Sequence, residues 1–195
     1  MNLDAAARDC MAGQMDKTRD RVLDELLVTR CQEGSRESFD LLIRRWQRPL
    51  WRYARRVTGD DDDAWDVMQE TWIAILSQIR RLSDPAWFPA WAFRIARNKC
   101  ADYIRRASRQ RHAVVALTEQ QRSKEDPPLQ SPDNTVAEAV RRMSPGEREL
   151  LALKYGQDLS IIEIAIVLGI PTGTVKSRLH RAREGLRRIL EGDES

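Results

Sequence analysis

The chain has 195 residues, of which 42% are hydrophobic and 32% charged, and its formal net charge is +3. This composition is typical of a folded, helix-rich protein and excludes a disordered or membrane-embedded chain. No apolar run approaches the roughly 18 residues that a membrane-spanning helix requires. The N-terminus lacks the basic-then-apolar order of a signal peptide. We therefore expect a cytoplasmic protein without membrane insertion.

The sequence does not indicate catalytic or metal-binding chemistry. The three cysteines, Cys10, Cys31 and Cys100, have no C-x-x-C spacing, and the only histidines are His112 and His180. A structural zinc site needs about four clustered ligands, which this pattern does not offer. No glycine-rich phosphate loop or nucleophile–base arrangement stands out in the sequence. We expect no metal, no cofactor and no enzymatic activity.

The N-terminal part is expected to begin with two helices. Residues 1–20 are polar and unpatterned, which predicts a disordered or frayed extension. From Arg21, apolar residues recur at helical spacing. A second helix follows, capped by Ser35 or Ser38, and carries a wide apolar stripe with interleaved arginines. Pro49 lies inside this stripe and is expected to bend or briefly interrupt the helix.

The third predicted helix is acidic. Asp60–Asp63 place negative charge at its start, where the helix dipole favours it. Asp66, Gln69 and Glu70 lie opposite its apolar side, so they are expected to face outward. An acidic face of this kind is either solvated or available to a basic partner surface.

The fourth predicted helix is basic. It begins near Ala86, after a loop at Arg80–Pro85, and carries seven positive charges against the single Asp102. Aromatic residues beside a basic face suit single-stranded DNA, because bases stack on aromatic rings while phosphates meet Arg and Lys. Trp91 is interpreted as a core residue rather than a base contact, because it shares helical spacing with Ile95.

A change of composition separates these helices from the C-terminal part. The segment EQQRSKEDPPLQSPDN is rich in polar residues, and Pro127-Pro128 forbids a helix across it. We interpret it as a linker; the alternative is a long surface loop within one domain, which is uncommon in compact folds.

The C-terminal segment predicts a helix-turn-helix. Ser160 and Glu163 have capping-box spacing, and Gly169 and Pro171 interrupt the pattern between two helices. The second helix carries an apolar stripe, with a polar and basic face opposite it. The stripe comprises Val175, Leu179, Ala182, Leu186 and Ile189. Such an element places its second helix in a DNA major groove. The alternative is a helical hairpin whose charges are merely solvated.

These patterns predict an all-α protein with two small helical domains joined by a flexible linker. The C-terminal one is a four-helix domain that contains the helix-turn-helix, and its second predicted helix starts with a capping box at Ser144–Glu147. The expected boundaries are an N-terminal extension at 1–20, a first domain at 21–112, the linker at 113–134 and a second domain at 135–195.

Several stretches together resemble the small two-domain extracytoplasmic-function (ECF) sigma factors of bacterial RNA polymerase. The stretches are DELLVTRCQEGSRESFDLLIRRW (Asp24–Trp46), DAWDVMQETW (Asp63–Trp72), FPAWAFRIARNKCADYIRR (Phe88–Arg106) and the segment from Met143 to Leu190. The resemblance implies that the first domain docks on the polymerase clamp helices and opens the promoter −10 element. It implies that the second domain recognises −35 duplex, and that an anti-sigma factor is a further partner.

The resemblance also assigns candidate residues. Those for polymerase binding are Asp63, Asp66, Gln69 and Glu70. Those for the −10 DNA are Arg94, Arg97, Asn98, Arg105 and Arg106, with the Arg80–Asp84 loop as a pocket for an extruded base. Those for the −35 DNA are Thr174, Lys176, Ser177, His180 and Arg181, which lie in the N-terminal half of the recognition helix.

Some positions depart from the family pattern. Trp65 stands where related chains usually have an acid, although the preceding aspartates add negative charge beside it. Pro171 stands where related chains often have a serine cap, a role that we expect Thr172 to take. Ile162 and Ile166 replace polar residues, so we expect two exposed isoleucines covered by an anti-sigma factor or a polymerase segment.

The expected function is therefore that of a transcription initiation factor that binds core RNA polymerase and promoter DNA. The alternative is a stand-alone helix-turn-helix repressor or activator, which would bind duplex DNA without the polymerase. That alternative leaves both the acidic helix and the aromatic, basic helix without a role.

Overall fold

A computed structural model describes residues 19–115 and 134–191, and within these two ranges it contains helices and no strands. The first range holds α1 (residues 19–32), α2 (Arg36–Thr58), α3 (Asp61–Gln78) and α4 (Phe88–Val115). The second holds α5 (Asn134–Arg142), α6 (Pro145–Leu151), α7 (Ile161–Leu168) and α8 (Thr172–Glu191). The all-α prediction is confirmed. The predicted extension at 1–20 lies almost wholly outside the described residues, as does most of the linker.

Short-range signals set the ends of α2 and the start of α3. The Ser35 hydroxyl oxygen accepts the backbone N–H of Ser38 and so caps α2, while Gly59 ends α2 with φ 81°. The Asp60 carboxylate accepts two backbone N–H groups of the first turn of α3. Caps of this kind each stabilise a helix by about 1 kcal/mol. Helix α2 runs through Pro49 without a break, so an interruption there is wrong, while the alternative, a bend at Pro49, stays a prediction.

Two short 3₁₀ turns, Ile79–Arg81 and Pro85–Trp87, take up half of the predicted loop between α3 and α4. The Gln32 side chain of α1 donates to the backbone carbonyls of Ile79 (3.0 Å) and Leu82 (2.7 Å), which fixes this connection against α1. Helix α4 begins at Phe88 rather than near Ala86. It continues to residue 115, three residues past the predicted domain boundary at 112.

Capping boxes start two helices of the C-terminal part, as the sequence predicts. The Ser144 hydroxyl accepts the Glu147 N–H at the start of α6, and the Glu147 carboxylate accepts the Ser144 N–H. Ser160 and Glu163 form the same reciprocal pair at the start of α7. Gly169 ends α7 at φ 67°, the left-handed region that glycine adopts without strain.

Helix α8 buries the predicted stripe. Val175, Leu179 and Ala182 are buried, and the stripe ends in the half-buried Leu186 and Ile189. Thr172 is the first residue of α8 rather than its cap, because the Pro171 carbonyl already accepts the Val175 N–H at 3.1 Å. The expectation that Thr172 replaces a serine cap is therefore wrong.

The two helical groups share one hydrophobic core, because α7 packs against α4. Ile162 is 56% exposed, as expected. Ile166 is only half-exposed and packs against this core, so the expectation of two exposed isoleucines is wrong for Ile166. Helical periodicity shows that a face is apolar, but the packing of another helix decides whether that face is covered. None of the described helices has the length and apolar character needed to cross a bilayer.

Candidate polymerase and DNA interfaces

The acidic helix α3 presents its predicted residues to different surroundings. Asp66 and Gln69 are exposed, and the Asp66 carboxylate has no ion-pair partner among the described residues. Asp63 is half-buried, and its carboxylate lies near the Tyr103 hydroxyl of α4. Burial and the carboxylate of Asp63 together raise the pKa of Tyr103 to about 12. Asp66 and Gln69 thus remain available to a partner, whereas Asp63 lies beside Tyr103 of α4.

Glu70 is directed to α4. Its carboxylate accepts hydrogen bonds from Lys99 (3.4 Å) and Arg106 (2.7 Å). The hydrogen bond from Arg106 is the largest contribution, and it lowers the pKa of Glu70 below its usual value. The predicted polymerase-binding and −10 sets therefore contact each other through this pair. Glu70 and Arg106 would have to exchange these bonds for contacts with a partner.

The basic face of α4 is partly exposed. Arg94, Asn98, Arg105 and Arg106 are exposed, and Asp102 forms an ion pair with Arg105 one turn away. Arg97 differs, since it is half-buried. Trp91 is half-buried beside Phe88, with ring centroids 6.1 Å apart, which agrees with its interpretation as a packing residue.

Glu149 of α6 joins the two helical groups. Its Oε1 atom accepts hydrogen bonds from the Tyr53 hydroxyl (2.5 Å) and from Nε of Arg97 (3.0 Å). Burial, followed by the nearby Glu149 carboxylate, raises the pKa of Tyr53 well above its usual value. The same two influences raise the pKa of Cys100 to about 12. A carboxylate from the C-terminal group thus occupies one of the predicted −10 DNA contacts.

A second ion pair connects the same two groups. Arg21 of α1 donates to the Glu163 carboxylate of α7 at 3.2 Å, and Glu163 is 2% exposed. The same Glu163 side chain closes the capping box of α7. The first helix of the helix-turn-helix is therefore tied to α1 as well as packed on α4.

The polar face of α8 is open to solvent. Lys176, Ser177, His180 and Arg181 are exposed, whereas Thr174 is half-buried and its carbonyl accepts the Ser177 hydroxyl at 3.0 Å. These side chains lie opposite the buried stripe, where base edges of a duplex could be contacted.

Arg183 of α8 is also exposed, but its side chain is already paired within the C-terminal group. Its Nε donates to the Tyr155 hydroxyl at 2.6 Å, and its guanidinium lies 5.6 Å from the Tyr155 ring centroid. A phosphate contact by Arg183 would have to form beside this pairing or replace it. The side chains of the described residues contain no cluster of three or more His, Cys, Asp or Glu that could hold a metal ion.

The chain resembles proteins of one family along both of its helical groups. Residues 42–110 match Sigma-70 region 2, and residues 133–186 match Sigma-70, region 4. It is 38% identical over 151 residues to the ECF RNA polymerase sigma factor SigL of Mycobacterium tuberculosis, covering 73% of this chain and 82% of SigL. This chain belongs to the ECF sigma factors.

Other relatives agree with this assignment. The ECF RNA polymerase sigma factor BldN of Streptomyces coelicolor is 34% identical over 174 residues, and the match covers 86% of this chain and 66% of BldN. The chain thus spans about two thirds of the length of BldN. The solved structure of CnrH in complex with the cytosolic domain of CnrY matches with a TM-score of 0.63 and 30% identity, covering 88% of this chain and 99% of CnrH.

Sequence reasoning missed several residues of this sigma factor that lie at the interfaces. Tyr53 and Glu149 carry no local signal of their contact, because they are separated by 96 positions. The sequence marks Trp65 only as a departure from the family pattern. The structure places it, with Trp72 and Ile73 of α3 and Ile43 of α2, in the lining of one surface groove. The signal in the sequence that could have identified Trp65 is its position on the exposed side of an amphipathic helix.

Proposed function

We propose that this sigma factor binds core RNA polymerase through α3 and directs it to promoters, using α4 for the −10 element and α8 for the −35 element. One observation carries the proposal: two separate DNA-suited faces, one basic and one helix-turn-helix, occur in a chain with an acidic partner face. A stand-alone repressor would need only the helix-turn-helix face. The domain limits we propose are 21–112 and 135–195.

The −10 assignment rests on the exposed side of α4. Arg94 and Asn98 offer a cationic and an amide group to a single strand. Arg105, Arg106 and Arg97 would join them once released from Asp102, Glu70 and Glu149 respectively. The −35 assignment rests on the exposed positions of α8, where Lys or Arg can donate to guanine acceptors and Ser or His can contact several edges. Thr174 completes this set at the start of the helix.

A reciprocal pair of substitutions tests the division of labour. Asn98→Ala is expected to reduce open-complex formation on a promoter while leaving binding of −35 duplex unchanged. Lys176→Ala is expected to weaken −35 duplex binding by about 1–3 kcal/mol if Lys176 contacts a base, with little effect on binding to a −10 single strand. Equal losses of both activities in both variants would contradict the assignment.

Run-off transcription separates the two functions. Core polymerase with this chain should initiate at promoters that core polymerase alone does not use. A repressor would bind operator DNA without the polymerase and would give no new transcript. If the chain binds duplex DNA alone and gives no new transcript, the alternative, a stand-alone helix-turn-helix regulator, replaces this proposal.

We further infer an anti-sigma partner, as the family resemblance implies, and the similar CnrH is itself solved in complex with another protein, the cytosolic domain of CnrY. Ile162, which is 56% exposed on α7, is a candidate contact for it. Substitution Ile162→Glu should weaken such a complex and leave core-polymerase binding unchanged. The protein is expected to act in the cytoplasm, where the chromosome lies, and to have no catalytic activity of its own.

A further inference from the structure

An apolar groove lies on the outer side of α2 and α3. It has a volume of about 490 Å³. Its lining includes the apolar residues Ile43, Trp65, Trp72 and Ile73 and the polar residues Asp66 and Gln69. Trp65 is 48% exposed and Ile73 is 65% exposed. Large apolar side chains gathered at one exposed place mark an interaction site more often than scattered ones do.

We propose that Trp65 is the central anchor of the polymerase-docking surface of this sigma factor. The partner that fits is a helical surface of core polymerase carrying an apolar side chain beside a basic one. This inference rests on the proposed function, and it shifts the centre of the docking site from the acidic block to the tryptophan. Binding energy at protein interfaces is concentrated in a few aromatic or arginine side chains, which favours Trp65 for that role.

Trp65 is held in place before any partner arrives. Its ring packs against the ring of Trp51 on α2, with centroids 5.9 Å apart and planes inclined by 38°. Trp51 itself is half-buried and packed against the core. A side chain fixed in this way loses little conformational freedom on binding, so more of its contact energy appears as affinity. An unsupported exposed tryptophan would lack this advantage.

The charges around the groove select the partner. Asp66 lines the groove and has no ion-pair partner among the described residues. Asp61–Asp63 form the first turn of the same helix and Asp60 caps it, which adds negative charge there, although Asp61 is paired with Arg55 of α2. Glu70 contributes less, because Lys99 and Arg106 already occupy its carboxylate. An acidic side chain beside an apolar anchor is complementary to a basic helix with an apolar residue.

Gln69 supports the same geometry. It lies four residues after Trp65 and four before Ile73, so the three side chains follow one face of α3. A helix laid along this face would meet an apolar residue, a hydrogen-bonding residue and a second apolar residue in succession. This order is the pattern of a helix-in-groove contact, with polar groups setting the register.

The test measures the affinity of the full chain for purified core RNA polymerase by fluorescence anisotropy. Trp65→Ala should weaken binding by roughly 30-fold or more, and Ile73→Ser should weaken it by about tenfold. Trp87→Ala is the matched control, because Trp87 is 37% exposed but lies outside the groove. It should stay within about twofold of the original chain. Each variant must keep the circular dichroism spectrum and the thermal unfolding midpoint of the original chain, which shows that α2 and α3 are folded.

The outcomes separate the inference from the function on which it rests. If Trp65→Ala binds like the original chain while the charge reversal Asp66→Lys loses affinity, the anchor role of Trp65 is wrong and docking through α3 stands. If neither substitution changes binding, docking through α3 is wrong as well. If the original chain does not bind core polymerase at all, the proposed function and this inference both fail.

Discussion

The Tyr53 hydroxyl donates a 2.5 Å hydrogen bond to the Glu149 carboxylate, across 96 positions of the chain and between the two helical groups. Tyr53 is 1% exposed, so its hydroxyl is cut off from water and depends on this acceptor. Arg97 donates to the same oxygen atom at 3.0 Å. Glu149 therefore satisfies a buried phenol and neutralises a predicted DNA-binding arginine at once.

Removal of this carboxylate should free Arg97. We expect Glu149→Ala to bind a −10 single-stranded oligonucleotide about three- to tenfold more tightly, because a phosphate no longer competes with a charge-assisted hydrogen bond. Fluorescence anisotropy measures the affinity, and energy transfer between dyes on α2 and α8 should report a larger separation. Glu138→Ala, which removes an exposed glutamate of α5, is the control. Unchanged affinity and separation in Glu149→Ala would show that Arg97 is not restrained by Glu149.

The phenol can be tested separately from the arginine. Tyr53→Phe keeps the ring, which packs edge-on against Phe93 with centroids 5.6 Å apart, and removes only the hydroxyl. We expect the free energy of unfolding to fall by about 1 kcal/mol, the usual net contribution of one hydrogen bond. Urea denaturation followed by circular dichroism measures it. A loss above about 3 kcal/mol would indicate that the hydroxyl does more than donate to Glu149.

Trp72 carries an indole N–H that is buried and has no acceptor within the described parts of the chain. Its ring contacts Phe39 edge-on at 6.0 Å, so its packing contributes while its polar group is unsatisfied. We expect Trp72→Phe to leave the free energy of unfolding unchanged or to raise it by up to about 1 kcal/mol, since it removes a buried donor. Trp72→Ala should instead lower it by about 3 kcal/mol through lost packing. Similar losses in both variants would mean that the indole nitrogen has a partner.

The ion pair of Glu70 predicts a pH dependence. Because Arg106 lowers the pKa of Glu70 in the folded chain, the contribution of Glu70 to stability is present above its ordinary pKa of 4.5. It is lost as the pH falls through the lowered value. The stability of Glu70→Gln should therefore fall less between about pH 6 and pH 3 than that of the original chain. Asp66→Asn serves as the comparison, because the carboxylate of Asp66 in the original chain has no ion-pair partner among the described residues. Parallel pH profiles for Glu70→Gln and the original chain would contradict the pairing.

The two described thiols should be inert in the folded protein. Burial raises the pKa of Cys31 to about 11, and burial together with Glu149 raises that of Cys100 to about 12. Since the thiolate is the reactive form, iodoacetamide at about pH 8 should modify neither residue in the native chain. Both should react once the chain is unfolded in urea. Mass spectrometry of peptic fragments gives the extent at each site, and rapid native labelling of Cys100 would show that its surroundings open.

The helices themselves were largely predictable. The capping boxes at Ser144 and Ser160, the stop at Gly169 and the buried stripe of α8 all follow from residues within one or two turns of each other. The two local predictions that the structure corrects, at Pro49 and Thr172, also depend on residues close together in the sequence. Pro49 is accommodated inside α2, and Thr172 lies inside α8 because the Pro171 carbonyl already starts the helical hydrogen bonds.

The sequence by itself determined the all-α class, the helix-turn-helix and the acidic and basic faces, because helical periodicity and caps act between neighbouring residues. The tertiary structure alone decided how those faces are used. In the folded chain, Glu70 pairs with Arg106, and Ile166 is partly covered by the core. Glu149 accepts hydrogen bonds from Tyr53 and Arg97, and Trp65 packs against Trp51. Periodicity shows which side of a helix is apolar or charged. The partner of that side depends on the path of the whole chain, which brings distant residues together.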